Sequence, residues 1–494
     1  MTTSPAIDIE RIRRPHDYYP ARFVNRGSEI EKVAARVRQA QVNLVTDPVV
    51  NFWGVKGIGK TWILRELQHR YAYHAESKTA STTLARSTCT LLYTFPEEPS
   101  VLALEQVVRE MATEALSQVS SALSPQEQND LIKAQDQRDV DALVRALVAL
   151  SGRFVPLILL DNTDKVREGD WENLESSLVE PLVSTGHILV VVAGRRQVPR
   201  WRRFEVRRRV MEPEESRVLP FDKQDVIKQL AQQEYQIPVD LFFPYTAGNP
   251  HLVDAIAHHI ASWQKGAEGG ALDQAWFDRH QSSLLQILRA SEAQLLENIP
   301  SGLMHVLEAV SPLRFYRLEA LRYMLLAQRI EPEGQSDGYY LNMLRALDQY
   351  EIMWWDRHRR AYVTNQIVRQ LMGQRQLLED REKYAATHRE AFQMYWNWVR
   401  EYPRASEDFI GEILFHLACL YIADGDISEL RSKAQTALLF AHEHLNPDRL
   451  LVVQMQLSDS KNDHELHDLL PEDVRNNLIQ ELDRLQAKKP ISNV

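Results

Sequence analysis

Gly54-Val55-Lys56-Gly57-Ile58-Gly59-Lys60-Thr61 fits the pattern G-x-x-x-x-G-K-[ST] without a mismatch. The residues before it, Val49-Val50-Asn51-Phe52-Trp53, are mostly apolar and β-prone, and predict a buried strand feeding a loop. After it, Ile63, Leu64, Leu67 and Tyr71 recur at helical spacing. Strand, glycine loop and helix make the context in which this pattern cradles phosphate. Glycines let backbone N–H groups curl around phosphate oxygens, and the helix N-terminus adds its positive end. Within such a loop, Gly54, Gly57, Ile58 and Gly59 form the cradle, Lys60 reaches the β- and γ-phosphates, and the Thr61 hydroxyl holds Mg²⁺. The expected ligands are ATP or ADP with Mg²⁺.

The second signal is Asp161, which ends the apolar run Phe154-Val155-Pro156-Leu157-Ile158-Leu159-Leu160. A carboxylate at the C-terminal end of a buried strand faces the crevice where an open α/β sheet binds ligand, and can hold Mg²⁺ with Thr61. Hydrolysis also needs a group that positions the attacking water, usually a neighbouring carboxylate. Asn162 takes the adjacent place and Asp164 is the nearest alternative, so the sequence supports binding better than fast hydrolysis. Arg195 and Arg196 follow a further apolar run, Ile188 to Val192, and an arginine there can touch the γ-phosphate.

Around these motifs, apolar runs alternate with helical patterns. Strands are expected at Val49–Trp53, Cys89–Tyr93, Phe154–Leu160, Ile188–Val192 and, briefly, Arg217–Leu219, with a long helix from Leu102 to Leu123. Continuous apolar strands indicate a parallel sheet covered on both faces, an α/β phosphate-loop NTPase domain. Beyond Phe221 the pattern turns helical. Asp222 caps one helix and another starts near Pro250; Gly266–Gly270 reads as a hinge. Three short helices between Leu303 and Leu347 precede a hairpin, Glu351–Trp355 with Ala361–Thr364, which together describe a winged helix. From Lys383 onward everything reads as helix, broken at Pro403, Gly425 and Pro447. The expected divisions are an N-terminal arm over 1–22, the nucleotide domain over 23–220, a helical lid over 221–300, a winged helix over 301–375 and an all-α region over 376–494.

Composition narrows the function classes. The chain has 494 residues, 44% hydrophobic and 26% charged, with a formal net charge of -10, so no global basic field recruits nucleic acid or anionic membrane. Cys89 and Cys419 offer neither a disulfide framework nor zinc spacing. Met1 to Pro20 lacks the apolar core of a secretory signal, and no run approaches the ~20 apolar residues of a membrane helix. A cytoplasmic protein with no membrane partner is expected. Arg200, Arg202, Arg203, Arg207, Arg208 and Arg209, interleaved with Trp201 and Phe204, suit nucleic-acid phosphates, or else the acids just after them, Glu212, Glu214 and Glu215, or a partner subunit. Pairing is the preferred expectation. Arg357, His358, Arg359 and Arg360 at the hairpin tip pose the same choice between DNA contact and simple solvation.

Taken together, the motif order resembles the STAND class of signalling ATPases, relatives of the NB-ARC and NACHT switches, over about Phe23 to Met372. Asn25-Arg26-Gly27-Ser28-Glu29 resembles their Gly-Arg-Glu segment, and Gly248-Asn249-Pro250 their Gly-x-Pro lid motif. The resemblance implies that Arg26 and Pro250 lie at the nucleotide, that Arg195 senses phosphate, and that a winged helix closes over the site. Two features depart from it. Asn162 stands where a second acid is common, and Val363-Thr364-Asn365 stands where many NB-ARC members carry Met-His-Asp. The reading that follows is a nucleotide-gated switch with slow hydrolysis, controlling self-association into a homo-oligomer or the binding of a protein effector. Its alternatives are an origin-recognition-like AAA+ ATPase that uses the winged helix and the arginine cluster on DNA, and a non-hydrolysing nucleotide-stabilised scaffold.

Overall fold

The computed structural model describes residues 18–42, 44–73, 86–96, 104–195, 201–264, 271–297, 299–330, 334–350, 352–357, 359–403, 407–459 and 463–488. The chain divides between residues 274 and 275 into two compact units.

The first unit is built on four parallel strands, β1 (Val49–Trp53), β2 (Ser87–Thr94), β3 (Phe154–Asp161) and β4 (Leu189–Gly194), in the spatial order β1-β4-β3-β2. β1, β3 and β4 are buried along their whole length, which is why their sequences are unbroken apolar runs. Trp53 pairs with Gly194, and Leu160 with Val192, so the strand ends carrying the phosphate loop, Asp161 and Arg195 emerge along one edge. Helices Gly27–Val42, Lys60–Tyr71 and Leu104–Val119 flank the sheet. Two further helices, Pro125–Gln137 and Val140–Leu150, were not among the expected elements. The first opens on a capping box in which Ser124 and Glu127 each accept from the other's backbone N–H.

The expected fifth strand is absent among the described residues. Arg217 makes one isolated parallel bridge with Trp53, and Val210 another with Val49. Between them Pro213–Ser216 forms a helical turn that carries the chain away from the sheet, and the Trp53 indole N–H reaches Pro213 O at 2.7 Å. Proline cannot donate to a ladder, and it starts the turn instead. At the opposite edge, β2 is covered by side chains of helix Leu104–Val119: Glu114 accepts from Leu92 N–H at 2.7 Å and Gln118 from Thr90 N–H at 3.1 Å.

Four arginines of the cluster are paired within this unit. Arg202 meets Glu168 at 2.7 Å and Glu172 at 2.9 Å, Arg203 lies 3.7 Å from Glu180, and Arg208 and Arg209 both face Glu205. The buried Glu175 carboxylate, in a π-helical turn (Glu175–Val179), accepts from the backbone N–H groups of Arg202 and Arg203. Pairing is as expected, but the partners lie on a helix about 30 residues upstream and on Glu205, rather than on Glu212, Glu214 and Glu215. Arg196, Arg200 and Gly266–Gly270 lie outside the described residues.

In the second unit, helices Ser301–Val310, Leu318–Ala327 and Asp337–Gln349 accompany a three-stranded antiparallel sheet of β5 (Phe315–Tyr316), β6 (Met353–Asp356) and β7 (Ala361–Thr364), in the order β5-β7-β6. The expected hairpin is therefore present and gains a short third strand. Asn365 is spent as a cap, accepting from Ile367 N–H at 3.0 Å to start helix Gln366–Glu379. Helix Gln281–Leu295 packs on that helix through Arg375–Glu292 at 2.7 Å and Arg289–Glu379 at 2.6 Å. Among the described residues six helices, from Arg381–Glu401 to Glu472–Lys488, follow as expected, with Gly425 in the left-handed conformation.

A polar joint ties these parts together. Buried Arg314 contacts Glu412 at 2.7 Å and Asp463 at 2.6 Å, and Arg369 pairs with Glu465. Beside them His388 Nδ1 and His416 Nδ1 lie 2.9 Å apart, both rings buried. One ring must donate and the other accept, so the accepting ring at least is neutral. Burial, reinforced by Arg369, depresses His388 to about 3, and burial with His388 and the two arginines holds His416 well below its ordinary value. The unfolded chain binds these protons near pH 6.5 and the folded chain does not. The pair's contribution is therefore complete above about pH 6.5 and is lost as pH falls toward 3, by about 1.4 kcal/mol per pH unit for each proton. Burial raises Glu412, which opposes part of this loss. His388→Gln and His416→Gln should each make the thermal midpoint less dependent on pH between 7 and 5. Slopes equal to that of the parent chain would refute the neutral pair.

Candidate nucleotide site

Gly59, in the left-handed conformation, precedes helix Lys60–Tyr71 and brings no side chain to cap it. The first-turn N–H groups are thereby left to phosphate oxygens. Lys60 Nζ donates to Gly54 O at 2.7 Å and Val55 O at 3.0 Å, which holds the ammonium across the loop. Asp161 is 1% exposed. Its carboxylate accepts from Asn162 N–H at 2.9 Å and from the Thr61 hydroxyl. Burial raises its pKa, against the opposing pull of Thr61, Asn162 and Lys60. The fold thus brings Lys60, Thr61 and Asp161 together. A hard-oxygen pair of one hydroxyl and one buried carboxylate fits Mg²⁺, whose charge would relieve the strained ionisation of Asp161.

Arg26 is buried against the same loop. It donates to Ile58 O at 2.7 Å and Leu219 O at 2.8 Å, pairs with Glu29 at 3.3 Å, and lies 4.5 Å from the Phe221 ring centroid. Burial lowers its pKa while Glu29 and Asp225 oppose that shift. Arg26 therefore joins the phosphate loop to the segment that enters helix Lys223–Gln232.

Pro250 opens helix Pro250–Gln264, and its carbonyl accepts from Gln229 at 2.9 Å. Its two neighbours make the loop contacts. Asn249 Nδ2 donates to Lys56 O at 3.1 Å, and His251 N–H donates to Gly57 O at 3.3 Å. Sequence reasoning missed both, although Asn249 fills the variable position of the Gly-x-Pro triplet. The close fit explains Gly57, which has φ +81°: a Cβ there would lie 2.8 Å from Asn249 Oδ1 and 2.9 Å from His251 Cβ.

The neighbours of Asp161 are already engaged. Asn162, with φ 59°, turns its amide to Phe95 O at 3.2 Å. Asp164 accepts from the backbone N–H of Arg195 at 3.2 Å and lies 3.6 Å from its Nε.

A family model described as the AAA ATPase domain matches residues 22–191. The chain carries a P-loop NTPase domain. Its parallel sheet, phosphate loop and Asp161 all fall within or beside that span. No curated protein matches the chain. Solved structures similar to it include Cdc6p from Pyrobaculum aerophilum, at 14% identity and TM-score 0.35, covering 75% of this chain and 98% of that one. The Aeropyrum pernix ORC2 protein in ADPNP–ADP complexes shows 12% identity and TM-score 0.41, with 74% and 97% covered. The Aeropyrum pernix ORC1 protein in complex with DNA shows 16% identity and TM-score 0.34, with 74% and 96% covered. Among the described residues no helix of the P-loop chain is long and apolar enough to cross a membrane.

Gly57→Ala should cost about 1–3 kcal/mol through left-handed strain and the clash with Asn249, and should weaken nucleotide binding in calorimetry. Adding Asn249→Ala should recover part of both losses; no recovery would show that the lid contact does not shape the loop.

Proposed function

We propose that this chain is a Mg²⁺-dependent AAA-type ATPase whose nucleotide state governs its binding to a partner. The observation that carries the proposal is the contact of Thr61 with the buried Asp161 beside Lys60. Thr61 and Asp161 would hold Mg²⁺, which would supply positive charge beside the phosphates. Lys60 and the loop N–H groups hold the β- and γ-phosphates in place. Arg26, Asn249 and His251 tie the loop to the helical segment beyond Phe221, so a loop that reshapes around phosphate pulls on that segment. Turnover is slow in this reading, because Asn162 is an amide turned to Phe95 O and Asp164 is paired with Arg195.

For the partner, the origin-recognition-like reading is the better supported, because the matching family model is that of an AAA ATPase. The hairpin of the second unit supports it as a wing: Trp355 is 43% exposed, and Arg357, Arg359 and Arg360 are exposed at the turn. The arginine cluster after residue 200 does not support it, since four of its arginines have acid partners. The narrower signalling class, with a homo-oligomer or a protein effector as partner, rests on the Arg26 segment and the Gly248–Pro250 motif.

Lys60→Ala should abolish binding of both nucleotides in calorimetry. Asp161→Ala should keep ADP binding while ATP binding and turnover lose their Mg²⁺ dependence. Unchanged affinities in both variants would remove the site. Duplex DNA should bind with a steep salt dependence that weakens in Arg357→Glu/Arg360→Glu. Absence of duplex binding at low salt, with sedimentation that differs between ATP-analogue and ADP forms, would select the protein partner instead.

A further inference from the structure

Two turns meet where β3 and β4 end. Thr163 Oγ1 donates to Ala193 O at 3.1 Å. Gly194 leaves no room for a side chain, because a Cβ there would lie 2.4 Å from Thr163 Oγ1 and 3.4 Å from Asp164 N. On the next residue of each turn sit Asp164 and Arg195. One Asp164 oxygen accepts from the Arg195 backbone N–H at 3.2 Å and the other lies 3.6 Å from Arg195 Nε. Their side chains are 11% and 20% exposed, so water competes weakly for this contact.

We infer that Asp164 is a positioning residue that fixes Arg195 beside the Mg²⁺-site turn, and that it is not the base that activates water. The inference rests on the nucleotide-binding reading given above. A carboxylate that holds both the main chain and the guanidinium of one arginine sets where that side chain starts and which way it leaves the strand. Both of its oxygens face Arg195, one at the backbone N–H and the other at the guanidinium, which turns the carboxylate away from the role of aligning a water. Arg195 so fixed meets a γ-phosphate without first losing side-chain freedom, and preorganisation of this kind separates ATP from ADP. Thr163 contributes by locking the two turns at one spacing, so Arg195 and Asp161 sit on a common frame.

The test uses the full chain and the variants Asp164→Asn, Arg195→Ala and the double variant. Affinities for Mg²⁺–ADP and for Mg²⁺ with a non-hydrolysable ATP analogue are measured by calorimetry, together with the pH dependence of turnover. Asp164→Asn keeps an acceptor for the backbone N–H and removes the charge. It should leave ADP affinity unchanged and lower the preference for the ATP analogue about tenfold. Arg195→Ala should do the same, and the double variant should lose no more than either single one. Residual turnover in Asp164→Asn should keep the acid limb of its pH profile. Loss of turnover with an unchanged ATP-to-ADP preference would make Asp164 the base and overturn the inference. Additive losses in the double variant would also overturn it. A parent chain that binds neither nucleotide would instead fail the underlying reading, and that result appears before any variant is made.

Discussion

A carboxylate kept from water at the end of a central strand sets the terms for the first unit. β3 lies between β4 and β2 and is buried from Phe154 to Asp161, so Asp161 cannot withdraw its charge to solvent. Leaving such a group without partners costs several kcal/mol. The chain meets that cost locally, with the Thr61 hydroxyl, the Asn162 N–H and the field of Lys60. These three partners come from the start of one helix and from the turn after the strand. The carboxylate therefore fixes the helix start against the strand end, and the phosphate loop must span the gap in one shape. Arg26 and Asn249 bind that shape from outside through carbonyls of the loop itself.

What could be read from the residues, and what could not, follows the range of each interaction. The phosphate loop, β1 and β3 were legible because glycine spacing and apolar runs are local signals. β2 and β4 were legible for the same reason. The helix at Pro125 was signalled by Ser124 and Glu127, three residues apart, a pairing that sequence reading passed over. The failed strand at Arg217 shows the limit of composition. Val218 and Leu219 are β-prone, but Pro213 and the turn it starts decide how the chain meets Trp53. Asn249 touches Lys56 across 193 residues, and no periodicity announces a contact of that kind.

Charge was least legible. Six arginines within ten residues suggest a field, yet Arg202 is neutralised by acids about 30 residues upstream on one helical face. The second unit gives the same lesson in its interior. Arg314 and Arg369 lie near the sheet in sequence and find Glu412, Asp463 and Glu465 on helices far along the chain. A linear count of charges records neither pairing.

The parallel sheet ends at β1 on one side and at β2 on the other. β1 and β2 each have one side without a strand neighbour, the side on which an open sheet would recruit another. At β1, Val49 N–H and C=O bond to Arg209 and Met211, and Trp53 C=O bonds to Val218 N–H. At β2, Glu114 and Gln118 supply carboxylate and amide groups in place of a backbone. Neither side offers a continuous row of donors and acceptors among the described residues. The sheet is thus sealed against strand addition, which guards it from templated fibre growth. It also means that, at these two described edges, a second copy of the chain meets side chains and bridging segments in place of an open strand.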